Sequence, residues 1–139
     1  MRFMILVKAN PASESGQMPT EQELTEMGRF NEELVKAGVL LAGEGLHPSS
    51  RGARVRFSGS ERTVVEGPFG ATSELLAGFW LLQLKSRDEA VEWVKRIPFH
   101  EGEVEIRQVF EADDFAESDP SGELRAAERR LREQAAAGA

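Results

Sequence analysis

The chain has no cysteine, no tyrosine and two histidines in 139 residues. Without cysteine there is no disulfide, no thiolate metal site and no sulfur nucleophile, and the composition fits a reducing cytoplasm. Without tyrosine there is no phenolic acid or base. Two histidines are too few for a His-rich metal site within one subunit. No apolar run approaches the roughly 20 residues that span a bilayer, so no membrane partner is expected. The apolar start, Phe3 to Val7, is too short for the core of a signal peptide and reads as a strand.

Basic charge is also scarce. The net charge is −7, and beyond Glu117 four acids balance four arginines, so the whole excess lies on residues 1–117. An acidic body repels phosphate backbones, and nucleic-acid binding is not expected. Arg51, Arg54 and Arg56 form a local basic cluster that reads as the solvated side of a strand. The fractions that remain, 40% hydrophobic and 29% charged, are those of an ordinary globular domain.

Residues 2–8 are apolar on both faces of a strand, so both faces need cover. A polar loop with two prolines follows over residues 9–19. Thr20 and Glu23 have the spacing of a capping box, and Leu24, Met27, Phe30, Leu34 and Val35 make one helical stripe that ends at Gly38. Residues 39–46 form a glycine-interrupted strand. Residues 53–58 and 62–66 flank Gly59-Ser60 as a hairpin. Residues 78–85 give the strongest strand pattern. Ser86 and Glu89 form a second capping box, with Ala90, Val91, Val94 and Ile97 on the inner face of that helix, Trp93 beside them, and Pro98 as its stop. Residues 103–110 are the last strand.

The order is β-α-β, an inserted hairpin, then β-α-β, which predicts an α+β ferredoxin-like sandwich over residues 1–115. Residues 116–139 read as a helical extension. Pro120 is placed in its first turn, Leu124, Ala127 and Leu131 form a thin stripe, Glu128 pairs with Arg132, and the last six residues fray. The apolar residues on both sides of the first strand and of residues 79–84 call for cover on the second face, which either a second copy of the sheet in a homodimer or the inserted hairpin or C-terminal helix supplies, the homodimer being the expected one.

Several side chains are candidates for chemistry. Glu66 ends a strand before Gly67-Pro68, a stiff corner that presents one carboxylate as a general base. His47 is the matching acid. Glu44, between Gly43 and Gly45, either enters a pocket or pairs with Lys8 or Arg107. Phe69 and Trp80 are candidate walls for an apolar ligand. His100 reads as an exposed loop residue. Gly43-Glu44-Gly45 lets backbone approach a ligand closely, but no phosphate-loop, cofactor or metal motif is present.

Met4–Ala9, Phe30–Leu34, Ala37–Leu41, Gly43–Leu46, Glu66-Gly67-Pro68-Phe69, Gly78-Phe79-Trp80, Asp88–Trp93 and Val104–Arg107 occur in one order. The set resembles the YCII-related proteins of the DGPF type over about residues 2–115. The resemblance implies a ferredoxin-like dimeric α+β barrel in a family of uncharacterised function. It also implies a regulatory setting beside extracytoplasmic-function sigma factors for some relatives, and kinship with isomerases and dehalogenases of muconolactone type for others. The wider family's pocket pair is a histidine and an aspartate. Here the motif acid is Glu66, and the first long helix has no histidine. Three readings stay open: a small-molecule-binding or regulatory dimer, an isomerase, lyase or dehalogenase using Glu66 and His47, and a purely structural dimer.

Overall fold

The structure, a computed structural model, describes residues 1–70 and 72–138, which form two units, Met1–Gln108 and Val109–Ala139. In the first unit the elements are β1 (Arg2–Lys8), α1 (Pro11–Glu14), α2 (Glu21–Lys36), β2 (Leu40–Gly45), β3 (Ala53–Ser58), β4 (Glu61–Glu66), β5 (Leu76–Gln83), α3 (Arg87–Lys95) and β6 (Val104–Gln108). Four strands make one antiparallel sheet in the order β2-β5-β1-β6, and β3 with β4 makes a separate hairpin. This is the ferredoxin-like order expected from the sequence, with the hairpin inserted between its halves.

Alternation along the strands builds the core. Phe3 and Ile5 of β1 and Trp80 and Leu82 of β5 are buried against Phe30 and Leu34 of α2 and Ala90 and Trp93 of α3. Phe30 meets both indoles edge-on, with centroids 5.6 Å from Trp80 and 6.4 Å from Trp93. On the other face Met4 lies opposite Leu81 and Leu6 opposite Phe79, all four half-buried.

Some expectations are corrected. The loop over residues 9–19 contains α1, because Asn10 caps it reciprocally with Ser13 and Pro11 stands in its first turn, where no N–H is needed. In α2 the Thr20–Glu23 capping box forms, with Glu23 N–H donating to Thr20 Oγ1 at 3.1 Å. However, Leu24 and Val35 flank the stripe and stay exposed. In α3 Trp93 belongs to the core, while Val91 and Val94 are half-buried. Ser86 caps α3, yet the Glu89 carboxylate accepts from the Lys85 N–H rather than from Ser86.

In the second unit α4 spans Glu123–Ala137, so it runs into the alanines expected to fray; Ala139 lies outside the described residues. Pro120 precedes the helix, and the cap comes from buried Asp119. Its carboxylate accepts from the N–H groups of Leu124 and Arg125 and from the Arg125 guanidinium. These bonds hold the Asp119 carboxyl below the usual carboxylate range, the backbone bond from Arg125 contributing most. The Glu128–Arg132 pair closes at 3.1 Å.

Replacing Leu34, which is fully enclosed, with alanine is expected to cost about 2–5 kcal/mol in urea unfolding. Val35→Ala, on the exposed side, is expected to change stability by no more than about 0.5 kcal/mol.

Candidate functional site

The described part of the sheet leaves an opening on the side of the helices because side chains are missing there. Gly45 of β2 lies directly opposite Gly78 of β5, and Gly43 lies opposite Trp80. A cleft of about 370 Å³ opens over these glycines. Met27 and Asn31 of α2, Val7 and Trp80 of the sheet, Asn10 and Ser13 at α1, and the loop from Phe99 to Glu103 complete its lining.

The glycines have different duties. A Cβ on Gly45 would meet nothing within 4 Å, so it would project into open space. A Cβ on Gly78 would lie 2.8 Å from the Glu44 carbonyl, and one on Gly43 would lie 2.8 Å from Cδ1 of Trp80. Gly78 and Gly43 therefore permit the strands and the indole to close up, and Gly45 leaves the cleft deep.

Trp80 is held from the other side. Its indole N–H donates to Asn31 Oδ1 at 2.9 Å. Tryptophan is a donor only, so this bond fixes which end of the Asn31 amide faces the ring. Asn31 is a polar residue on the α2 stripe, four residues after Met27 and three before Leu34. That spacing was a readable sign that a polar group faces the sheet.

The cleft brings Lys8, Glu44 and Trp80 together and leaves Glu66, His47, Phe69 and Arg107 outside its lining. The ion pair expected between Glu44 and Lys8 or Arg107 is corrected. Lys8 Nζ lies 3.4 Å from Glu105 and Arg107 Nη1 lies 3.2 Å from the same carboxylate. Strand order explains this: Glu105 of β6 stands beside β1, which carries Lys8, while Glu44 lies in the same cross-strand row on β2 at the opposite edge, with β5 between it and β1. Both cations hold the Glu105 carboxyl below its ordinary value, the hydrogen bond from Arg107 first. Among the described residues no group of three or more histidines, aspartates or glutamates is placed to hold a metal ion.

His47 is exposed, with Arg51 Nη1 at 3.1 Å from its ring. His100 is exposed in the loop after α3. Glu66 is exposed at the end of β4, and Phe69 lies under the Arg54 guanidinium, 4.0 Å from the ring centre.

The Glu66–Phe69 corner is tied to the lip of the cleft through Ser49. The Phe69 N–H donates to Ser49 Oγ at 3.0 Å, and the Gly67 N–H donates to the Gly52 carbonyl at 3.0 Å. The Ser49 hydroxyl and N–H both donate to the Glu14 carboxylate. Glu14 closes α1, the helix that begins at Asn10 and carries Ser13 into the lining. A Cβ on Gly67 would overlap the Ser49 carbonyl, so only glycine fits at this corner.

Two predictions follow from this clamp. Gly67→Ala is expected to lower stability by about 1–3 kcal/mol in denaturant unfolding, as overpacking against backbone does. The two Ser49 hydrogen bonds, the hydroxyl first, hold the Glu14 carboxyl below its ordinary 4.5. A carboxyl lowered by folding stabilises the fold above its ordinary value, and that contribution is lost as pH falls through the folded value. Carbon-13 titration is therefore expected to place Glu14 below 4.5 in the native protein and to move it upward in Ser49→Ala.

Three likenesses bear on what this chain is. The YCII-related domain model matches residues 1–113. An uncharacterised protein of Rhizobium meliloti (strain 1021) is 33% identical over 75 residues, 54% of this chain. The match spans about 60% of that relative's length. The 5-chloro-2-hydroxyhydroquinone dehydrochlorinase of Burkholderia phenoliruptrix AC1100, solved with 2,5-dihydroxybenzoquinone, aligns with a TM-score of 0.40 and 17% identity over 81% of this chain and 98% of its own. With the family model covering all six strands and α1 to α3, this chain belongs to the YCII-related family.

Proposed function

We propose that this protein is a homodimeric module that binds a small organic molecule in the cleft over Gly45 and Gly78. The observation that carries the reading is the bare glycine pair. The sheet forgoes packing at its helix-facing edge, where filling the space at Gly45 would cost no steric conflict. Apolar walls with a few convergent polar groups are the usual make-up of a ligand site. Of the sequence candidates, Trp80 forms a wall of the cleft, and Lys8 and Glu44 lie at its lining. A proton-transfer enzyme built on Glu66 and His47 is the less favoured reading, because neither residue lines this cleft. The link to a sigma factor is carried by the family resemblance alone.

The homodimer reading is supported by the opposite face, where the Met4–Leu81 and Leu6–Phe79 pairs give an apolar row free of α2 and α3. No helix among the described residues is long and apolar enough to cross a membrane, and the cysteine-free composition suits the cytoplasm.

A fragment library followed by amide chemical shifts is expected to give hits that cluster on Met27, Asn31, Gly45 and Gly78. Hits confined to the β3–β4 hairpin would contradict the assignment. Light scattering is expected to return twice the 15.4 kDa chain mass, and Leu81→Glu is expected to reduce it to one chain. A native protein of 15.4 kDa would contradict the dimer.

A further inference from the structure

The polar atoms around the cleft are unequally committed. Asn10 Oδ1 accepts from the Ser13 N–H, and Ser13 Oγ accepts from the Asn10 N–H and donates to the Asn10 carbonyl. Asn10 Oδ1 and Ser13 Oγ are thus occupied in capping α1, and the rest of the Asn10 side chain is exposed to water. The Trp80 indole N–H is taken by Asn31 Oδ1. The Lys8 ammonium shares the Glu105 carboxylate with Arg107. Glu44 lies opposite Phe79, which pleat alternation places on the far side of the sheet from the Gly45–Gly78 floor.

One lining group stands apart. With Oδ1 turned to the indole, the Nδ2 amide of Asn31 is left with two N–H donors and no acceptor among the described residues. Asn31 is half-buried and lines the cleft together with Met27 and Trp80. The floor beneath is flat backbone. Glu101 at the rim, with Glu44 and Glu103 also in the lining, gives an acidic charge that outweighs the one lining cation, Lys8. An anion entering here would lose its water and find repulsion.

Resting on the binding reading above, we infer that the cleft takes a flat, uncharged ring carrying a hydrogen-bond acceptor, which Asn31 Nδ2 engages. The ring lies over Gly45 and Gly78 beside Trp80. Asn31 then has two functions, orienting the indole through one end of its amide and selecting the ligand through the other.

The two functions separate in one substitution. Asn31→Asp keeps an acceptor for the indole N–H and replaces only the free donor with a carboxylate oxygen. Three probes share one ring: acetophenone, benzoate and benzylamine. Titrations of the full-length protein are followed by the Trp80 indole N–H resonance. The native protein is expected to bind acetophenone at least tenfold more tightly than benzoate. Asn31→Asp is expected to weaken acetophenone at least tenfold and to leave the unliganded indole resonance in place. Gly45→Leu, which fills the cleft from its floor, is expected to abolish the response to every probe.

Acetophenone binding unchanged by Asn31→Asp but abolished by Gly45→Leu would overturn the ligand class and leave the cleft as the site. Benzoate binding as tightly as acetophenone would do the same. A response that survives Gly45→Leu, or no response to any probe, would overturn both the class and the binding reading. Collapse of the Asn31→Asp fold is covered by Asn31→Ser, which removes the free amide donor and is expected to weaken acetophenone likewise.

Discussion

The hydrogen bond from the Trp80 indole to Asn31 is the interaction on which the cleft depends. A large aromatic ring at the centre of a sheet carries one polar atom that must be paired, because an unpaired buried N–H costs about 1–3 kcal/mol. Asn31 pairs it from α2, Phe30 braces it edge-on, and the missing side chain of Gly43 gives its other edge room. With the indole locked in this way, the space over Gly45 and Gly78 is not filled by a change of rotamer. The same ring is both the end of the core and the beginning of the site.

The rest of the unit keeps that space open. The corner from Glu66 to Phe69 works at a distance from the cleft, binding Ser49, which binds Glu14, which ends the short helix at the lip. Gly67 sits where no side chain fits, and the motif's acid points to solvent. On this geometry the Glu66–Phe69 segment of this chain is a structural anchor, and the residues proposed to face a ligand come from α2 and from the glycines of β2 and β5. The second unit has its own local logic, in which buried Asp119 caps α4 through bonds to Leu124 and Arg125.

Much of the fold was legible because its signals are local. Alternation in β1 and β5, the Thr20–Glu23 box and the Gly59 turn each depend on neighbours a few residues away. The misread elements depend on competition that the sequence leaves open. α1 forms because Asn10 and Ser13 cap each other at the start of a segment that otherwise reads as loop. Leu24 and Val35 match the helical period, yet the sheet reaches only the middle of that stripe. Trp93 turns inward because Phe30 offers it an edge. The site was half legible. Gly43-Glu44-Gly45 marked a close approach of backbone, and Trp80 a wall. Asn31 is hard to read from sequence, although a lone polar residue on an apolar stripe is a signal in itself, because its partner lies 49 residues away.

The proposed ligand is an acceptor-bearing ring held between the bare Gly45–Gly78 floor and the free end of the Asn31 amide. A crystal structure of the native protein grown with acetophenone tests it most directly. Ring density is expected over Gly45 and Gly78, with the carbonyl oxygen about 3 Å from Asn31 Nδ2, the ordinary hydrogen-bond distance. Crystals in which the cleft stays empty of the probe while ring density appears elsewhere on the chain would contradict it.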